Sequence, residues 1–284
     1  MQNAEAQTEL RGPLETTYNQ WRAAMIKGDV SSWQASTAKY RQMEIHNRLV
    51  SERLQYPAAV FQIPAPPPEL KGLKFLEARQ KGATAKMSYF GKIDFGVDGK
   101  PSDNLLVLSF IQEGSAWKYD TADFVNLAVL PAVRTELAAG NLHYLEEAPE
   151  ARPSGEVPPI PMSAPAAKYV AKVYVFCPGR EVQVQINKFS RHKFANAKEA
   201  ETVIGGVVDG SNEIQFTTRK LEGGTGKEAM TIRVYLVTDA QSTDPSKSFI
   251  KVFEYQIQPE GVPKESDTRV FNIDPATAAK VKIK

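Results

Sequence analysis

The sequence predicts an α+β domain, helices packed on an antiparallel sheet, followed by an all-β domain of sandwich type. Three observations carry this. Helical periodicity gives way to strand-sized runs within the first half of the chain. Six of the nineteen prolines fall between Pro149 and Pro165. The residues beyond them read as strands and turns.

Leu14, Tyr18, Trp21 and Met25 recur at spacings of 4, 3 and 4, one face of an amphipathic helix. Gly28 suits the end of that helix, and Asp29 suits the cap of the next. Tyr40, Met43, Val50 and Leu54 continue a helical stripe, skipping Asn47, until Pro57 stops it. Pro64, Pro66, Pro67 and Pro68 form a rigid turn or loop. Lys71–Gln80, Ala83–Phe95, Leu105–Glu113 and Ser115–Val125 then read as strands. Turns at Lys81-Gly82, Asp98-Gly99 and Glu113-Gly114 join them. Pro131–Ala139 reads as a closing helix.

Proline fixes φ and lacks a donor, so the Pro149–Pro165 run is an extended, semi-rigid linker. The expected organisation is a flexible N-terminus over 1–9, an α+β domain over 10–148, a Pro-rich linker over 149–167, a β-sandwich over 168–276 and a basic tail over 277–284. Charge divides in the same place. Residues 1–150 carry 16 Lys and Arg against 18 Asp and Glu; residues 168–284 carry 18 against 14. Each half is long enough to bury a core and fold alone.

In the second half seven strands are expected: Lys168–Phe176, Glu181–Lys188, Thr202–Val208, Glu213–Leu221, Met230–Thr238, Phe249–Gln258 and Thr268–Ile273. Val182, Val184 and Ile186 alternate with Gln183 and Gln185, the period of a half-buried strand. Strand count and length resemble an immunoglobulin-like sandwich.

Trp21, the Lys27-Gly28-Asp29 break and the run Phe110-Ile111-Gln112-Glu113-Gly114-Ser115-Ala116-Trp117-Lys118-Tyr119 resemble the NTF2-like (cystatin-like cone) superfamily. The resemblance covers roughly residues 10 to 130 and implies a curved sheet closed over the helices, an α+β cone. Its enzymatic relatives, ketosteroid isomerase and dehydratases, imply an Asp base and a Tyr or second acid facing the interior. Tyr89, Tyr119, Asp94, Asp120 and Asp123 are the candidates; on one strand Trp117, Tyr119, Thr121 and Asp123 share a face, while Asp120 points away. The competing reading is that Asp123 is solvated at the strand end while Trp117 and Tyr119 fill the cone.

Other chemistry is thin. One cysteine, Cys177, excludes an intrachain disulfide and a thiolate zinc cluster. His46, His143 and His192 are scattered and give no metal spacing and no triad order, so no metal and no cofactor is expected. Gly223-Gly224-Thr225-Gly226-Lys227-Glu228 lacks the first glycine and the Ser or Thr of a phosphate loop, and reads as a mobile hairpin loop. Asn187-Lys188-Phe189-Ser190-Arg191-His192-Lys193-Phe194 is a basic run with interleaved aromatics. It suits an acidic protein patch or a polyanionic glycan; a domain charge of only +4 argues against specific nucleic-acid binding.

No run is long enough for a membrane-spanning helix. The polar start after Met1 and the Pro-rich connector suit a mature extracytoplasmic chain whose leader has been removed, with a cytoplasmic protein as the alternative. The expected function is non-enzymatic binding or scaffolding in the bacterial cell envelope, through contacts with a protein partner. Binding falls to Lys188, Arg191, Lys193, Gly223 and Gly224. The first alternative is a small-ligand or isomerase-like cone using Tyr119 and Asp123. The second is a carbohydrate-binding sandwich exposing aromatics among Phe189, Phe194, Tyr235 and Phe271.

Overall fold

Leu14, Tyr18 and Met25 are buried and Trp21 is half-buried, so the 4-3-4 stripe marks the packed face of the first helix. The computed structural model describes residues 2–94, 101–238 and 248–281. Helix α1 spans Gln2–Lys27 and takes in most of the segment expected to be a flexible tail. Gly28, at φ +67°, ends it. Asp29 caps α2 (Val30–Ser36), its carboxylate accepting the Ser32 N–H at 3.1 Å. Helix α3 follows at Lys39–Ser51.

Strands β1 (Lys74–Lys81), β2 (Thr84–Ile93), β3 (Ser102–Glu113) and β4 (Ala116–Asn126) pair antiparallel in chain order. The Asp98-Gly99 turn lies outside the described residues, as do Phe95 and the tail residues Lys282 and Lys284. One face of the sheet, with Met87, Tyr89, Leu106 and Leu108, packs on Leu14 and Tyr18 of α1. The other face, with Leu76, Leu105 and Val107, packs on Leu137 of α4 (Pro131–Ala139) and Leu145 of α5 (His143–Glu147). Burial on both faces explains why Leu105–Ile111 is continuously apolar where a half-exposed strand would alternate.

The second half holds β5 (Ala171–Phe176), β6 (Arg180–Ile186), β7 (Ser190–Ala195), β8 (Lys198–Thr202), β9 (Gly210–Lys220), β10 (Met230–Val237), β11 (Phe249–Ile257) and β12 (Ser266–Ile273), then a short α6 (Pro275–Ala278). They form two antiparallel sheets, in orders β11-β10-β5-β8 and β12-β9-β6-β7. The rows Val173, Val175, Ile232, Val234 and Val182, Val184, Ile186, Phe216 belong to a single core. Two expectations are corrected here. Eight strands stand where seven were expected, because the basic run supplies β7 and Lys198–Thr202 supplies β8, and Thr202–Val208 is not a strand. Val203 and Val207 are buried, but Gly205 and Gly206 between them have φ +77° and +63°, which breaks extended backbone.

The chain divides into two compact units: Met1–Ile45 with Pro57–Pro161, and His46–Tyr56 with Met162–Lys284. The contribution of residues 46–56 to the second unit is the part no periodicity announced. Asn47, the residue skipped by the apolar stripe, is 5% exposed. Its Nδ2 donates to the Met162 carbonyl and its Oδ1 accepts the Ala164 N–H, both at 2.8 Å. Ser51 Oγ accepts the Gly205 N–H at 2.7 Å, and the Val50 carbonyl accepts the Ala167 N–H at 3.2 Å. The Pro-rich segment is thus fastened at its C-terminal end within the second unit. At its N-terminal end, Ala151 is buried and the Gly155 N–H donates to Thr84 Oγ1 at 2.9 Å within the first.

Candidate functional site

In the first unit the acid and the aromatic expected to converge are separated by one extra residue. Phe110 pairs with Tyr119 across β3 and β4, but Ser109 pairs with Thr121, so Asp120 is a bulge. The bulge resets the alternation. Tyr119 and Ala122 pack with the core that includes Tyr18 and Met87, whereas Asp123 stands opposite Val107 on the other face. The expectation that Tyr119 and Asp123 share a face is therefore corrected. Asp123 reaches Lys86 Nζ at 3.4 Å, and Asp120 is held by Arg41 Nε at 2.8 Å.

Tyr119 is 6% exposed and lies on Trp21, ring centroids 3.9 Å apart, with Tyr18 and Phe110 edge-on. Burial pushes its hydroxyl well above the usual phenol range, so it stays a neutral donor. Tyr89 is also buried and donates to Glu15 of α1. What remains open is a cleft of about 260 Å³ over Tyr18, Trp21, Tyr119 and Phe124, walled by Pro64–Pro68, with Asp94 also lining it.

A second bulge, at Leu76 of β1, turns Glu77 into the protein, where it is 2% exposed. Arg79 holds one carboxylate oxygen at 2.8 Å and the other has no hydrogen bond. Burial raises its pKa above the ordinary carboxyl value, outweighing Arg79. The folded state therefore holds this proton longer than the unfolded chain does. Stability of the first unit falls as pH rises from the ordinary glutamate range through the raised folded value. Urea unfolding of Glu77→Gln beside the parent, from pH 4 to 8, should show the parent losing stability relative to the variant as pH rises; parallel profiles would remove Glu77 as the cause.

In the second unit, Ser190, His192 and Phe194 of β7 point into the core, while Arg191 and Lys193 point out. Lys188 is exposed in the β6–β7 turn, its ammonium 5.7 Å from the Phe189 ring. Lys193 reaches Glu181 at 3.1 Å, and Arg191 Nε donates to Gln185 at 3.1 Å. Glu181 also receives Arg219, and its bonds from Gln183, Lys193 and Arg219 hold its carboxyl down to about 2. The outer face here carries Gln183, Gln185, Gln215, Thr217 and Thr268 around Arg191, with a groove of about 340 Å³. β7 is the last strand of its sheet, where outward Arg and Lys also oppose unwanted strand pairing.

Gly223 and Gly224 do not join this surface. They lie at the far end of β6, beside Gly179, ~20 Å along a seven-residue strand from Lys188. The loop is pinned rather than mobile. A Cβ on Gly224 would collide with the Gly179 carbonyl oxygen. The Glu228 carboxylate accepts the N–H groups of Thr225 and Gly226 at 2.5 and 2.9 Å, and its own pKa is pulled to about 2. Where a phosphate loop offers its amides to phosphate, this loop has already committed two to its own glutamate.

A further arrangement, a relay of three side chains, was not legible in the sequence. Ser190 Oγ lies 2.5 Å from His192 Nε2, and His192 Nδ1 lies 2.6 Å from Glu201. The order of groups is that of a hydrolytic triad, but Ser190 is fully buried and its Oγ accepts the Ile204 N–H at 2.9 Å. The relay fastens β7 to β8 and the segment after it. Of the aromatics a carbohydrate site would need, Phe194 and Phe271 are buried. Among the described residues no group of three or more His, Cys, Asp or Glu is placed to hold a metal ion, and no helix is long and apolar enough to cross a membrane. The chain matches no protein-family model, no curated protein and no solved structure.

Proposed function

We propose that the chain is a non-enzymatic binding or scaffolding protein of the bacterial cell envelope, an NTF2-like cone followed by an immunoglobulin-like sandwich, that captures an acidic protein partner on the sandwich. The observation that carries this is the outer surface of the β6–β7 hairpin, where Lys188 projects from the turn and Arg191 and Lys193 from β7, beside Gln183, Gln185, Gln215 and Thr217. Lys193 is engaged by Glu181, and Asp267 also lines the groove. Long exposed cations among hydrogen-bonding side chains suit carboxylate-bearing surfaces. The separation of Tyr119 from Asp123 supports the same reading by removing that pair from one face, which leaves Asp94 as the acid lining the cleft of Tyr119.

Polyglutamate serves as a stand-in for an acidic partner. Reversing Lys188, Arg191 and Lys193 together to Glu should weaken its binding by at least about tenfold at low salt and flatten what salt dependence remains. Unchanged affinity rejects the surface. The aromatic cleft over Trp21 and Tyr119 favours one other reading, a small apolar ligand held in the cone. Its size is at the small end for such sites. The placement outside the cytoplasm is tested by immunodetection in fractionated cells.

A further inference from the structure

The row Val182, Val184, Ile186 that fills the second core begins with a guanidinium. Arg180, the first residue of β6, has the same inward alternation and is 5% exposed. Its Nη2 donates to the Gly226 carbonyl, while its Nε is buried without any acceptor. No ion pair involves Arg180 among the described residues, whereas its neighbour Glu181 has two, with Lys193 and Arg219. A desolvated guanidinium with an unused donor and no counter-ion is an unfavourable end state for a strand.

The cross-strand register adds a second cation. Arg180 stands directly opposite Lys220 of β9, so two like charges share one face of the sheet. Gly226 comes close to both: a Cβ there would lie 3.4 Å from Lys220 Cδ and 4.0 Å from Arg180 Nη2. Beside them is a pocket of about 700 Å³, whose lining includes Arg180, Lys220, Arg219, Thr217 and Ser266. Two glutamates also line it. Glu181 is already engaged by Gln183, Lys193 and Arg219, and Glu265 is exposed.

We propose that this pocket binds an oxyanion, a carboxylate or phosphate group, with Arg180 Nε and Lys220 Nζ as its charged donors. The same group supplies the acceptor that Arg180 Nε lacks and the counter-ion that neither cation has among the described residues. The guanidinium offers a rigid, planar donor, and the ammonium a point charge beside it. Lys188 and Arg191 lie toward the other end of β6, whereas Lys193 pairs with Glu181 beside this site, so only Lys188 and Arg191 can be changed without touching it.

The test follows the Arg180 Nε–H resonance of the labelled full chain at constant ionic strength. Inorganic phosphate and a hexaglutamate peptide are titrated separately. A saturable shift with phosphate supports a small oxyanion, and one with the peptide alone supports an acidic side chain. Either shift should weaken about tenfold in Lys220→Gln, the loss of one charged contact at an exposed position that leaves the fold intact. It should be unaffected by reversing Lys188 and Arg191, neither of which contacts a group lining the pocket. No shift with either probe, or a shift indifferent to Lys220→Gln, overturns the proposal.

Discussion

Asn47→Leu should destabilise the second unit by about 2–5 kcal/mol, although residue 47 lies more than a hundred positions before most of that unit. The side chain is nearly isosteric, so the loss is of hydrogen bonds and not of volume. The Met162 carbonyl and the Ala164 N–H are both left without their partner, and Ala164 is itself buried. Each stranded group costs about 1–3 kcal/mol. The chain offers a convenient separation of signals. Its three tryptophans, Trp21, Trp33 and Trp117, all lie in the first unit. Urea unfolding followed by tryptophan fluorescence should change by less than about 1 kcal/mol, while the amide signals of β5, β6 and β10 lose the full amount. A loss in the tryptophan signal with the amides of β5, β6 and β10 unchanged would mean that residue 47 belongs to the first unit.

A fragment beginning at Met162 should be markedly less stable than the same residues within the full chain. The proline run by itself implies separable halves on either side. The fragment keeps every strand of the second unit but loses residues 46–56, and with them the partners of Met162, Ala164, Ala167 and Gly205. Thr202 also loses its bond to Glu52, 2.7 Å in the intact chain. Lost bonds of this kind are worth about 0.5–1.5 kcal/mol each, together a large share of the 5–15 kcal/mol typical of a domain. Nicking the full chain between Pro158 and Pro161 should, for the same reason, leave two pieces that co-elute from a sizing column. Clean separation into two folded fragments, with an unchanged midpoint for the second, would rule this arrangement out.

The parts of the fold legible in the sequence are those set by local period. The four strands of the first sheet, the helix at Pro131–Ala139 and the alternation of Val182, Val184 and Ile186 all follow from residue type and spacing. What was not legible depends on pairing at a distance. The bulge at Asp120 is one unpaired residue, visible only once β3 supplies the register, and it is what moves Asp123 off the face of Tyr119. β7 alternates as regularly as β6, but its inward residues include Ser190 and His192, whose polarity hides the pattern until Glu201 is brought alongside. Asn47 interrupts an apolar stripe because its partners are backbone groups far along the chain. Arg180 could have been found earlier: it keeps step with Val182, and a charged residue in an inward row is a signal in itself.

If the protein acts by charge on the second unit and not by chemistry in the first, the amide shift map of the full chain during the polyglutamate titration will separate the two. Shifts should run along Lys188–Lys193 and the neighbouring Gln185 and Gln215, with the amides of Trp21, Tyr119 and Ala122 unmoved. Shifts confined to the Tyr18, Trp21 and Tyr119 cleft, or none on β7 at saturation, would refute action through the second unit.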